Sequence, residues 1–441
     1  MFYIVEQESK LESLEKLARL GLYVDVISTN DLYHPKLCST VAVYLRLIGS
    51  EHGYIIPIKH DEGLNVSKDR VYEILSKASK LYTRNKKELL YHFNLQGAID
   101  LSLLYSMVKF NRLEYTKESN TLNYFYNKYR DFADINQLIP ISKLYESCSK
   151  VYDQIKGVID YKIPESFDFY NKTATNVFYL LEQPGLGVHY DDYIKMFKPK
   201  DPVFNTNNNS VLTSYNLYNA TSRPTNAFNS VNFAAIPKSP EHRKSFRPQN
   251  DIFVEFDFDG YHLRLLCDQI DFELTSDSAH KQLAKHYFGT QDITEEQYLE
   301  AKQINFQAIY GKIPEEHRNL EIFKKISEFI KELWRVYEED GEVLEPISGK
   351  PFGKELKDMH PAKLMNYVMQ SLETSRNILI LKEVLRYLQN KKTNVVLYTY
   401  DSFLFDFSKE DGIETLDDIK EILEEGGKYP IKFKHSKDLC L

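Results

Sequence analysis

The chain has 441 residues, 42% of them hydrophobic and 27% charged, with a formal net charge of −8. That composition excludes a disordered or fibrous chain and supplies apolar surface for two or three cores. Four cysteines (Cys38, Cys148, Cys267, Cys440) without C-x-x-C or other metal spacing exclude a disulfide framework and a zinc site. Neither a basic-then-apolar leader nor an apolar run of about 18 residues occurs, so a cytoplasmic protein without membrane contact is expected. Net negative charge argues mildly against nucleic-acid binding, but phosphates are held by local basic patches and not by the sum.

The elements are expected in this order. A helix over Ser9–Leu20, a strand over Leu22–Ile27 and a strand–turn–strand pair, Val41–Gly49 with Gly53–Ile58, begin an α/β unit across 1–110. Helices Val71–Leu81 and Lys87–Phe93 complete it around the basic loop Thr83–Lys87. The order resembles the 3′–5′ exonuclease domain attached to family A DNA polymerases, whose signature is an Asp-x-Glu strand with further metal-binding carboxylates. Here Asp25 is followed by Ile27 where the Glu belongs, Asn85 by Leu89, and Tyr145 by Ser149, where carboxylates are expected. Two-metal hydrolysis needs several carboxylates, so the resemblance implies an exonuclease-like fold without its chemistry.

Helices Leu122–Ala133, Ile141–Ile155 and Thr175–Leu181 follow, then Pro184-Gly-Leu-Gly, a short run Tyr190–Phe197, and a strand Val211–Tyr218. Lys238, Arg243, Lys244 and Arg247 stand against one acid, Glu241, a local basic patch that would otherwise pass for a solvated loop. Phe253–Arg264, F-V-E-F-D-F-D-G-Y-H-L-R, delivers Asp257 to a strand end before Gly260 and a helix over Tyr261–Ile270. Asp257 and Asp259, at i and i+2, would share a face if the strand continued. Asn394–Phe407 reads as a hairpin with Asp401 at its tip, and two strands each ending in a carboxylate can hold Mg²⁺ ions. Lys302, Phe306 and Tyr310 recur along one helical face over Tyr298–Gly311, with Gly311 as the expected C-cap. Taken alone, an aromatic stripe of this kind is more often core.

Together these stretches resemble the polymerase motifs of family A (DNA polymerase I-like) enzymes. Thr221-Ser-Arg through Asn232-Phe-Ala-Ala-Ile-Pro237 looks like the family's T-G-R and N-x-x-x-I-P segment, Lys-x-x-x-Phe-x-x-x-Tyr-Gly like its fingers helix, and Asn366 with Gln370 like its Asn-x-x-x-Gln helix. The resemblance implies an α+β multidomain chain: a degenerate 3′–5′ exonuclease-like domain of the RNase H type (1–110), a helical connector and reduced thumb (111–200), a first palm part (201–270), fingers (271–345) and a second palm part (346–441). It implies a template-directed DNA polymerase without proofreading, of a phage or virus. Its partners would be primer-template DNA, deoxynucleoside triphosphates and a processivity or replisome protein.

By the same resemblance, two Mg²⁺ ions, with Mn²⁺ as a substitute, are expected at Asp257 and Asp401. The nucleotide is expected at Lys302, Phe306, Tyr310, His262 and Phe258, and DNA at Arg223, Asn232, Arg243, Lys244, Arg247, Asn366 and Gln370. Four positions depart from the pattern. Tyr298 replaces an Arg, which leaves Lys281, Lys285 or His286 to supply a phosphate contact. His262 replaces the Glu that blocks a ribose 2′-hydroxyl, Ser402 replaces an outer carboxylate, and Asp259 stands in place of Ser as a source of the missing charge. Two other readings stay open: a single-subunit RNA polymerase or primer-making enzyme on the same fold, and an inactive replication scaffold.

Overall fold

The computed structural model describes residues 2–116, 120–197, 204–205, 209–226, 231–274, 278–309 and 313–441. The chain forms two compact units. The first holds Met1–Gln183, and the second takes most of the chain from Pro184 to Leu441.

The first unit is built on a six-stranded mixed sheet. With strands β1 (Phe2–Ile4), β2 (Leu22–Ser28), β3 (Thr40–Leu47), β4 (Gly53–Pro57), β5 (Leu81–Thr83) and β6 (Ile99–Asp100), the spatial order is β1-β4-β3-β2-β5-β6. Every residue of β2 and β3 is buried, as continuous apolar runs covered on both faces require. The expected helix Val71–Leu81 is shorter, Lys68–Ser76, because Leu81 already belongs to β5, which lies parallel to β2. The helix Ile141–Ile155 forms at the expected bounds and buries a stripe that includes Leu144, Tyr145, Cys148, Val151 and Tyr152. Tyr145 and Tyr152 meet the sheet residues Tyr44 and Tyr23 at ring-centroid distances of 5.4 and 5.0 Å. These contacts seat the helix Ile141–Ile155 against the sheet. Each fully buried aromatic or aliphatic side chain of this kind contributes roughly 1.5–3 kcal/mol.

The second unit is centred on a four-stranded antiparallel sheet. Strands β7 (Ile252–Phe258), β8 (Asn394–Thr399), β9 (Ser402–Phe407) and β10 (Ile431–Ser436) run in the order β8-β9-β7-β10. Between β7 and β8 the chain forms, among others, the helices α1 (Tyr261–Gln269), α2 (Ala279–Phe288), α3 (Glu295–Ile309), α4 (Glu321–Asp340) and α5 (Pro361–Tyr387). Phe258 stacks on Tyr261 with centroids 4.1 Å apart, against Phe403 and Tyr429, and so fastens α1 to the sheet. The Tyr261 hydroxyl donates to Asn377 Oδ1 at 2.7 Å and ties α1 to α5.

The expected strand Val211–Tyr218 is instead two short strands. Ser210–Val211 adjoins Leu186–Val188 while Tyr215–Asn216 pairs with Thr225–Asn226, so the chain changes partners between them. Among the described residues between Pro184 and Arg223, the only helix is Tyr190–Phe197.

Candidate active site

Asp257 lies one residue before the end of β7, directly opposite Ser402 on β9. Tyr400 and Asp401 form a two-residue hairpin loop, and Tyr400 takes a left-handed φ of 57°. Tight hairpins demand positive φ, which is strained for a bulky residue. Two contacts hold it: the Tyr400 carbonyl accepts from Asn377 Nδ2 at 2.9 Å, and the Arg223 guanidinium lies 4.0 Å above the Tyr400 ring. The Phe258 N–H donates to the Asp401 carbonyl at 3.2 Å, which brings the two Asp-bearing strand ends together.

Like charges so placed resist ionisation. Burial, then the charges of Asp401 and Glu255, raise the Asp257 pKa to about 6, and burial followed by Glu373 raises that of Asp401. The sign follows directly: a raised carboxyl favours folding below its unfolded pKa and loses that contribution as pH climbs through about 6. In EDTA, Asp257→Asn is therefore expected to gain on the wild type between pH 5 and pH 7.5. The gain should be only a few degrees in melting temperature, since Asp257 is partly screened by solvent. Thermal melts at the two pH values read it, and an identical difference at both would contradict the repulsion.

Glu255 sits two residues before Asp257 on the same strand face and accepts from Ser402 Oγ at 3.0 Å. A carboxylate on the neighbouring strand thus stands beside the serine that replaces one. Asp259 does not join them. Its carboxylate accepts the Ala279 N–H at 3.0 Å at the start of α2 and pairs with Lys432 and with Arg264, the latter at 3.6 Å. The strand does not continue to it because Gly260, at φ 62°, turns the chain into α1, and a Cβ at Gly260 would lie 3.1 Å from that of Ala279.

A cavity of about 220 Å³ opens beside Asp401, lined by Arg223, His262, His280, Lys302, Phe306 and Glu373 among others. Lys302 and Phe306 reach it from one face of α3, and Phe306 keeps 61% of its surface exposed. Tyr310 and Gly311 lie outside the described residues. Phe258, expected at the nucleotide, is a correction: it is 3% exposed and packs in the core beneath the site. Strand alternation explains it, since Asp257 faces out and Phe258 therefore faces in.

Two lining residues were not among the expected site residues, although Ser278-Ala-His280 falls where the family has a comparable segment. His280 is held by Asn305 Nδ2 at 3.0 Å, and Asn305 in turn accepts the Tyr287 hydroxyl. With Asn305 donating to Nδ1, the proton of His280 sits on Nε2. Burial lowers its pKa to about 4, so the ring is neutral. Of the basic residues near Tyr298, it is His280 that lines the cavity, and not Lys281, Lys285 or His286. The second is Glu373 on α5, 1% exposed, bound to Arg223 Nη2 at 3.1 Å and to His262 Nε2 at 2.6 Å.

A second cavity of about 220 Å³ lies on the other side of the hairpin tip, lined by Phe233, Arg243, Glu255, Tyr400, Asp401 and Ser402 among others. Asn232, Lys244 and Arg247 are exposed, whereas Arg243 is half-buried and donates to the Leu439 carbonyl at 3.1 Å. Asn366 and Gln370 share one face of α5, joined by a bond of 3.0 Å from Gln370 Nε2 to Asn366 Oδ1. In the first unit, Asp25 pairs with Arg84 at 3.2 Å, and Asn85 caps the helix Lys86–His92 by accepting from the Glu88 N–H.

No protein-family model matches the sequence, and no curated protein matches it. Among solved structures, the POL domain of Pol1 from M. smegmatis, in complex with DNA primer-template and dNTP, is similar to the chain with a TM-score of 0.70. The likeness spans 100% of this chain and 99% of that one at 11% identity. At that identity it concerns the fold: the chain has the family A polymerase fold, α+β and multidomain, with an RNase H-like α/β unit ahead of the right-hand part.

Proposed function

We propose that the chain is a template-directed DNA polymerase that adds deoxynucleotides to a primer 3′-hydroxyl. The observation that carries this reading is the meeting of Asp257 and Asp401 at adjoining strand ends beside a cavity furnished with Lys302 and Phe306.

The donor set fits a hard divalent cation. Two mutually repelling carboxylates gain from one, and Mg²⁺ takes few protein oxygens because substrate phosphates and water complete its shell. Among the described residues no cluster of three or more His, Cys, Asp or Glu side chains has metal-site geometry, so the pair would depend on substrate phosphates and water for the remaining ligands. Asp257 and Asp401 would hold two Mg²⁺ ions, or Mn²⁺, which when bound acidify the primer hydroxyl and neutralise the triphosphate. Lys302 binds the triphosphate as a point charge and is placed to protonate the departing pyrophosphate. His280 offers a neutral Nε2–H donor on the same side, where a missing Arg left a contact unfilled. Phe306 packs on the sugar, and His262 lines the same cavity; Tyr310 is proposed to close over the base.

The primer end enters through the second cavity, with Asn232, Arg243, Lys244 and Arg247 along its approach and Asn366 and Gln370 on the helix facing template and primer. Arg223 is engaged with Glu373 and Tyr400, so its role is to shape the cavity as much as to touch the primer. In the first unit, Asp25 is neutralised by Arg84, which supports reading the chain as a polymerase without proofreading; the phage or viral source rests on the resemblance of the sequence alone.

The test is extension of a labelled primer on a DNA template in Mg²⁺. Extension with deoxynucleotides and not ribonucleotides is expected. Comparable ribonucleotide use would favour an RNA-making enzyme, and no extension would leave a scaffold. With a trap for dissociated enzyme, products should lengthen by only a few nucleotides per binding event, because between Gly187 and Arg223 the described residues offer a single short helix, Tyr190–Phe197, to grip duplex DNA; a partner protein would restore length. Long products from the chain alone would refute the need for that partner.

A further inference from the structure

The buried glutamate on α5 is not explained by the proposed chemistry. Glu373 is 1% exposed, and a buried carboxylate is costly unless fully partnered. It is fully partnered: Oε1 lies 3.3 Å and Oε2 3.1 Å from Arg223 Nη2, and Oε2 is 2.6 Å from His262 Nε2. Despite burial, the charges of His262 and Arg223 hold the Glu373 carboxyl below its usual range, so it is ionised and can only accept. The hydrogen on His262 Nε2 must therefore point at Glu373. Both carboxylate oxygens are already engaged by these two donors, and the single hydrogen on Nε2 is committed to Glu373 and is not offered to a hydroxyl.

His262 alone, in the first turn of α1, would be free to swing about its two side-chain bonds. Tied to Glu373 it cannot do so without leaving a buried carboxylate one partner short, a costly outcome. Arg223 is fixed as well, clamped between the same carboxylate and the face of Tyr400. The imidazole and guanidinium thus form a rigid wall on the cavity that also holds Phe306 and Asp401.

We propose that Glu373 is the positioning residue for sugar selection, locking His262 against the cavity so that a nucleotide bearing a 2′-hydroxyl is excluded. The inference rests on the nucleotidyl-transfer reading and adds to it. The discriminating carboxylate acts from a separate helix, through an imidazole, and does not touch the nucleotide.

Single-nucleotide insertion opposite template dT is measured as kcat/KM for dATP and for ATP, in the wild type, Glu373→Gln, Glu373→Ala, His262→Ala and the double variant. Glu373→Ala should lower the deoxy-to-ribo ratio about 10-fold or more, mainly by raising kcat/KM for ATP. The volume-preserving Glu373→Gln should lower it less, and it carries the test if Glu373→Ala does not fold. In the His262→Ala background, loss of Glu373 should change the ratio by less than about 3-fold, since it acts through the imidazole. An unchanged ratio in an active Glu373 variant, or full additivity in the double variant, would overturn this proposal and leave the polymerase standing. A wild type that inserts neither nucleotide would overturn both.

Discussion

Replacing Asp401 by Ala is expected to abolish primer extension, with a fall in rate on the order of 10³-fold or more, while leaving the fold intact. The loss is large because the carboxylate belongs to a pair, and one member cannot neutralise the charge that develops on transferring phosphates. The fold should survive because the side chain is electrostatically unfavourable before any substrate arrives. Burial and the nearby Glu373 both disfavour its charge, and the structural contribution of the position is its carbonyl, which accepts from the Phe258 N–H and is kept by Ala. The measurement pairs single-turnover insertion with a thermal melt. A rate within about 10-fold of the wild type would exclude Asp401 from the chemistry. A large drop in melting temperature would show that the position serves the fold instead.

This contrast between carboxylates was only partly legible in the sequence. The hairpin over Asn394–Phe407, the strand before Asp257 and the helix Ile141–Ile155 are local patterns, set by alternation, turn and period, and they form where expected. The partner of a strand is not local, so Val211–Tyr218 could not be seen to divide between two pairings. Asp259 drew attention as the second carboxylate after Asp257, yet Gly260 ends the strand and Asp259 is spent at the start of α2 and on Lys432. The same alternation rule, applied backwards, would have pointed to Glu255. Nothing local singles out Glu373 or His280: their roles come from α5 and α2 crossing the palm, and a buried Glu in a helix reads from sequence as one more charged position. Resemblance also missed the inward turn of Phe258, because a motif aligns residue types and not the faces of a strand.

Arg84→Ala is the expected result with the largest effect on stability, a loss of about 3–5 kcal/mol confined to the first unit. Arg84 and Asp25 side chains are only 4% and 5% exposed and lie 3.2 Å apart; the guanidinium also pairs with Glu88 at 3.2 Å and lies 5.3 Å over the Tyr115 ring. Deleting Arg84 removes the positive charge 3.2 Å from a carboxylate on a fully buried strand, and burying a charge without its ion-pair partner is costly. Replacing both partners with apolar residues of similar size, Asp25→Leu with Arg84→Met, should recover most of the loss, since a buried pair is worth little over a well-packed apolar pair. Denaturant unfolding followed by fluorescence reads all three proteins, with the two units allowed separate transitions. The same variants decide what the pair is for. If Arg84 merely neutralises a relic, neither variant degrades DNA in Mg²⁺, because Ile27, Leu89 and Ser149 supply no ligands once Asp25 is freed. If Arg84→Ala acquired 3′–5′ degradation, the arginine would be a plug over a competent site, and the proposal that the chain lacks proofreading chemistry would fall.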